Sequence, residues 1–147
     1  LLRQVVLGAA RAPREAEAEA RTVGNAFSQS YGLLNNRAAV AFFKKVWASE
    51  HRLDVLPVAL IHDAIYVLIR NDLEVVRWVN ENLIQEMQWQ DLPEIQHPTV
   101  KLGAALDTHY KGWHQPITLP NYASTEEILK ICKDGAADYD KVPKLGK

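Results

Sequence analysis

The stretch VLPVALIHDAIYVLIRND, residues 55–72, constrains the fold more than any other part of this chain. Two apolar runs rich in β-branched residues flank one charged pair, His62-Asp63. Such runs read as strands over about Val55 to Ile61 and Ile65 to Ile69, joined as a β-hairpin. Pro57 cannot donate to a ladder, which predicts an edge strand or an early strand position. An aspartate between Leu60-Ile61 and Ile65-Tyr66 is expected to be buried, and a lone buried carboxylate is costly unless paired, hydrogen-bonded or metal-bound. Asp63 is therefore expected to be held by something. A two-residue tip on a rigid hairpin fixes a carboxylate well, and Mg²⁺, which takes one or two carboxylates plus substrate phosphates, is the matching ion. An ordinary tight turn with a solvated aspartate would show the same dipeptide.

Around the hairpin the pattern alternates between strand and helix. LRQVVLG reads as a short strand and GAARAP as a turn. From Arg14 to Glu50 the chain reads as one long helix, rich in strong helix formers at its start. Val23, Phe27, Leu34, Ala38, Phe42 and Val46 recur at steps of four or seven and mark its buried stripe. Gly24 and Gly32 each weaken a helix by about 1 kcal/mol against alanine, which predicts a break or a close approach there. Asn71 with Glu74 forms a capping-box-like start for a second helix, whose stripe is Leu73, Val76, Val79, Leu83, Ile84 and Met87 and whose end is Asp91-Leu92-Pro93. TVKLGAALDT reads as a strand and HYKGWHQPITLPNY as a loop. Ser124 and Glu127 form another capping box, and YDKVPKLGK reads as a tail. The expected class is α+β, with helices on an antiparallel sheet.

Composition narrows the function. At 147 residues and 48% hydrophobic content the chain suits one domain with a real core, or a large piece of one. The single cysteine, Cys132, excludes an intrachain disulfide framework and fits a reducing compartment. No stretch approaches a membrane span, no signal peptide is visible, and the start without methionine suggests a fragment or a processed product. The net charge of −1 excludes a strongly basic nucleic-acid binder but hides an asymmetry. Residues 1–50 carry seven Lys/Arg against four Glu, a net of +3, whereas residues 71–96 carry Arg77 against six acidic groups, a net of −5.

Arg21, Asn25 and Gln29 lie four residues apart on the long helix. Each step of four advances about 400°, so the three share a slowly drifting face and span about 12 Å of axis. That length covers about three to four base-pair rises. Asn and Gln can donate to the minor-groove acceptors that every base pair presents, purine N3 or pyrimidine O2. Such a ladder would sense the width of a base pair and not its sequence; a solvated polar face is the plain alternative.

Taken together, the hairpin and the ladder resemble the C-terminal palm of the family A DNA polymerases, the DNA polymerase I family. Leu60-Ile61-His62-Asp63-Ala64-Ile65 resembles the family's motif C, apolar-His-Asp-Glu-apolar. Arg21, Asn25 and Gln29, followed by Ser30 and Gly32, resemble the helix that precedes it, much as in bacteriophage members. ALDTHYKGW, with Trp113, is similar to the family's closing segment. The resemblance runs from about residue 2 to 115, which divides the chain into a palm part, 1–115, and a C-terminal extension, 116–147, without counterpart.

The resemblance implies template-directed DNA synthesis in DNA replication, a nucleotidyl transfer from a deoxynucleoside triphosphate to a primer 3′-hydroxyl in the cytoplasm, that of a bacterial host if the gene is a phage's. Asp63 would be one of two carboxylates holding two Mg²⁺ ions. His62 would lie at the sugar-phosphate of the primer terminus. Arg21, Asn25 and Gln29 would contact the minor groove of the primer–template DNA. Ala64 stands where the family has Glu, which removes a carboxylate and places the chain in a divergent branch. Motif A, with the partner aspartate, and the fingers helix that grips the triphosphate are not found, and Asp54 and Asp107 stand in the wrong contexts to replace them. The chain is thus expected to be half of an active site, completed by the remaining polymerase (fingers, thumb, motif A) in the same polypeptide or in a separate chain. The competing expectation is a non-catalytic DNA-binding palm remnant, or a structural subunit of a replication complex.

Several further residues are read more plainly. The tryptophans Trp47, Trp78, Trp89 and Trp113 are expected in the core or at interfaces. His51, His97, His109 and His114 have no zinc-ligand spacing. Arg37, Lys44 and Lys45 would be phosphate contacts or the solvated side of the helix, and HYKGWHQP is expected to pack as a loop.

Overall fold

In the computed structural model, which describes residues 13–93, 95–109 and 112–141, the alanine- and glutamate-rich segment forms one continuous helix, α1, Pro13–Ala48. Its 36 residues give a rod about 54 Å long. Neither Gly24 nor Gly32 breaks it, and a Cβ at either would meet open space, so the expected close approach is absent. The buried stripe occupies only the C-terminal part of the rod. Asn35, Ala38, Ala39, Phe42, Phe43 and Val46 are buried, whereas the described side chains from Ala20 to Leu34 are exposed or half-buried.

The hairpin forms as β1, Val55–Ile61, and β2, Ala64–Ile69, in antiparallel register with Ile61 opposite Ala64 and Val55 opposite Ile69. A bulge interrupts the ladder between Pro57 and Ala59, next to the residue that lacks an N–H. Among the described residues β1 pairs only with β2, so there the proline lies on an edge strand as expected. At the open end Arg70 N donates to Asp54 O at 2.8 Å, and their side chains form an ion pair at 3.0 Å.

The second helix, α2, is Leu73–Met87. Its cap is Asp72 and not Asn71: Asp72 Oδ1 accepts from the backbone N–H of Glu74 at 2.9 Å and of Val75 at 3.4 Å. Asn71 and Asp72 are both good cap residues, and the extended backbone of Asp72 decides between them. The helix stops at Gln88, before Asp91-Leu92-Pro93. Val79, Leu83 and Ile84 are buried as expected, but so are Asn80 and Glu86, which a hydropathy pattern cannot place.

Beyond α2 only part of the expected strand forms. β3 is Leu106–His109, and its partner β4, Pro116–Leu119, lies within the segment read as a loop. Proline at its start and only Ile117 and Leu119 as apolar positions make too short a pattern to stand out. α3, Thr125–Lys141, opens with the predicted capping box: Ser124 N donates to Glu127 Oε2 at 2.9 Å and Glu127 N to Ser124 Oγ at 3.3 Å. It also takes in Tyr139, Asp140 and Lys141, the start of the expected tail; the remainder of the tail and the expected strand LRQVVLG lie outside the described residues.

The class is α+β, with three helices among the described residues and two separate two-stranded antiparallel sheets in place of one larger sheet. One core joins them. Phe42 and Val46 of α1, Val55 of β1, Val75, Val79, Leu83 and Ile84 of α2, Leu106 of β3, Leu119 of β4 and Ile128 of α3 are buried in a single cluster. Residue 115, the expected boundary, is in the turn of the β3–β4 hairpin, and Ile128 beyond it is fully buried in that cluster.

Candidate functional site

His62 and Asp63 form the two-residue tip of the β1–β2 hairpin. The sequence pattern suggested burial; both residues are exposed. The apolar runs beside them are largely exposed too, with Leu56, Leu60, Ile61 and Leu68 all presenting surface to solvent. No desolvation cost therefore falls on Asp63, and its carboxylate has no hydrogen-bond or ion-pair partner among the described residues.

The tip is nevertheless constrained. His62 adopts φ 55°, a left-handed conformation that costs a non-glycine residue about 1–2 kcal/mol. Its carbonyl oxygen accepts a hydrogen bond from Asn35 Nδ2 of α1 at 3.5 Å. Asn35 is 5% exposed and its Oδ1 is buried without a partner among the described residues. The sequence carried little sign of this: Asn35 is the first of an Asn35-Asn36 pair beside Leu34, one turn before Ala38 and Ala39.

Arg21, Asn25 and Gln29 are all exposed on the part of α1 that extends past the core. Gln29 is about 9 Å along the helix axis from Asn35 and Arg21 about 21 Å. In azimuth, Arg21 lies about 40° from Asn35, Asn25 about 80° and Gln29 about 120°, in one rotational direction. The ladder thus begins on the side of the helix that holds the hairpin tip and winds gradually away from it. Helix α1 is the common frame for both features.

The other candidates separate. Arg37 and Lys45 are engaged with Glu86 of α2, at 2.8 Å and 2.7 Å, and Arg37 stacks on Trp89 at 3.9 Å from the ring centroid. They clamp α1 to α2, which overturns the phosphate-contact reading for these two; Lys44 is exposed. Burial raises the Glu86 pKa, but the Lys45 hydrogen bond and the charges of Lys45 and Arg37 outweigh it and hold the pKa below the ordinary value. Asp54 faces Arg70 and His51, and Asp107 accepts from Thr118 Oγ1 at 2.6 Å.

Of the tryptophans, Trp78 packs against Phe42 and Trp89 lies under Arg37, while Trp47 and Trp113 are each 65% exposed. Trp113 stacks with Tyr66 of β2 and with His109 of β3, each at 5.0 Å between centroids, and so ties the second hairpin to the first.

The tip offers one carboxylate to a metal ion, which is short of a site by itself. Asp63 offers hard oxygen donors with no competing internal partner, but no group of three His, Cys, Asp or Glu is brought together among the described residues. A second carboxylate would have to come from elsewhere. No helix among the described residues is long and apolar enough to cross a membrane. The chain matches no protein-family model, no curated protein and no solved structure.

Proposed function

We propose that this chain supplies one carboxylate and the duplex-contacting helix of a template-directed DNA polymerase, the site being completed by a second polypeptide or a further part of the same one. The observation that supports this reading most is the shared frame: α1 presents Arg21, Asn25 and Gln29 to solvent and also holds, at Asn35, the hairpin tip that carries His62 and Asp63. Amide and guanidinium donors along α1 reach acceptors in the minor groove of a primer–template duplex. The imidazole of His62 contacts the sugar-phosphate at the primer end. The Asp63 carboxylate, with a second aspartate from the completing polypeptide or segment, would hold Mg²⁺. When bound, the two ions supply activation of the primer hydroxyl and charge stabilisation on the leaving pyrophosphate of a deoxynucleoside triphosphate.

A duplex-binding remnant without chemistry is the second reading, favoured by Ala64 and by the single carboxylate at the tip. Primer extension with Mg²⁺ and deoxynucleotides, measured for the chain alone and with its co-purifying partner, tests the first. Extension is expected only with the partner. In that complex Asp63→Ala should lower the extension rate by about 10³-fold, the equivalent of several kcal/mol of lost charge stabilisation, with duplex affinity retained. Extension by the isolated chain would refute the half-site, and unchanged extension by the Asp63→Ala complex would favour the remnant.

A further inference from the structure

Asn35 is buried on α1 beside Leu34, the residue that the hydropathy pattern gives to the stripe. It precedes Ala38, Phe42 and Val46 at helical spacing, and all four are buried. An amide placed there uses its Nδ2 on His62 O, 27 residues away, and leaves Oδ1 buried and unbonded among the described residues. An unsatisfied buried acceptor costs more than one long hydrogen bond returns. Stability alone therefore favours leucine at this position.

What the amide gains is control of one peptide plane. The carbonyl of His62 and the N–H of Asp63 belong to the same rigid, planar unit. Holding His62 O restrains that plane and so places the Asp63 Cα, from which the φ and side-chain torsions of Asp63 direct its carboxylate. The hairpin register already asks for a left-handed residue at the first tip position, and the bond from Asn35 adds a second hold on it from outside the hairpin.

We infer that Asn35 is a positioning residue for Asp63, acting through the His62–Asp63 peptide and touching neither substrate nor metal. The inference rests on the polymerase reading for its purpose and on the structure alone for its mechanism. Its test is Asn35→Leu, which removes the donor and the stranded acceptor together.

The thermal midpoint of Asn35→Leu should equal or exceed that of the unaltered chain. Backbone ¹⁵N order parameters at His62 and Asp63 should fall from about 0.85 to below about 0.6 while those of the strands stay high. In the partner-completed complex the extension kcat should fall by about ten- to a hundredfold with little change in KM for the nucleotide, as a small misplacement predicts. Unchanged order parameters at the tip would overturn the inference. Should Asn35→Leu fail to fold, the unaltered protein still decides: tip order parameters below about 0.6 mean that Asn35 holds nothing. Because the relaxation measurement needs no activity, a loosened tip in a complex without extension would refute the polymerase reading and leave the role of Asn35 standing.

Discussion

Asn80 offers the clearest test of how this core is held together. Its side chain is fully buried on α2 and makes two hydrogen bonds to one turn. Nδ2 donates to Pro120 O at 2.9 Å, and Oδ1 accepts from Tyr122 N at 2.8 Å. The turn leads from β4 into α3 and contains Tyr122 at φ 60°, so the amide secures a left-handed residue at the junction of three elements. Each bond contributes about 1 kcal/mol net. Because Pro120 and Tyr122 are exposed, water reaches part of what Asn80→Ala would strand. The expected loss is about 2–3 kcal/mol, or about 6–12 °C in Tm for a chain of this size. Urea unfolding followed by far-ultraviolet dichroism and tryptophan fluorescence measures it, with coincident transitions as the check on two-state behaviour. Asn80→Asp separates the bonds: it keeps the acceptor for Tyr122 N–H, loses the donor to Pro120 O and buries a charge, so it should be less stable at pH 7 than at acid pH relative to the unaltered chain. A loss under about 0.5 kcal/mol for Asn80→Ala, the level of an ordinary surface change, would refute this account of the junction.

Two further predictions concern the helices. Glu86 has its pKa lowered by Lys45 and Arg37, so the folded state binds fewer protons there than the unfolded chain; the stabilisation is present above about pH 4.5 and is lost as pH falls through the lowered folded value. Glu86→Gln should cost about 1–3 kcal/mol at pH 7 and flatten that part of the acid limb in chemical denaturation against pH. At Gly135 of α3 an added Cβ would stand 2.6 Å from Ile117 Cδ1 and 2.7 Å from its Cγ1, so Gly135→Ala should destabilise by about 1 kcal/mol despite better helix propensity. In an Ile117→Ala background the same change should stabilise instead, and a double-mutant cycle without that reversal would reject the steric explanation.

The elements with a strong local signal were legible in the sequence. The β1–β2 hairpin and the Ser124–Glu127 box each rest on a few neighbouring residues and form as read, and α1 forms over nearly its expected span but without the break or close approach expected at Gly24 and Gly32. What was not legible depends on contacts distant in sequence. β4 is a strand because Leu106 and Thr108 of β3 lie opposite Leu119 and Ile117, a pairing that no local pattern announces. Glu86 is buried because two cations from α1 reach it across the helix pair, and Asn80 because the turn at Pro120–Tyr122 folds back over it. The same limit applies at the candidate site: the sequence singles out Arg21, Asn25, Gln29, His62 and Asp63 as candidates, but the contact of Asn35 with His62 shows only once the hairpin tip lies against α1.

Exposure of the tip changes the argument about Asp63. A buried carboxylate would have been evidence of function in itself, since it is too costly to keep without use. An exposed one costs nothing, and a silent remnant would retain it as readily as an enzyme. The weight therefore moves from the aspartate to what surrounds it. Removing Asp63 should leave stability within about 0.5 kcal/mol, because no described group depends on it. Asn35 is the residue that carries a cost, a half-used buried amide beside a left-handed histidine. Both features are destabilising, and both bear on one peptide, the one that aims Asp63. The hairpin accounts for the left-handed φ by itself, so the half-used amide is the feature that the fold does not require, and under the proposed reading its use is to steady the residue that carries Asp63.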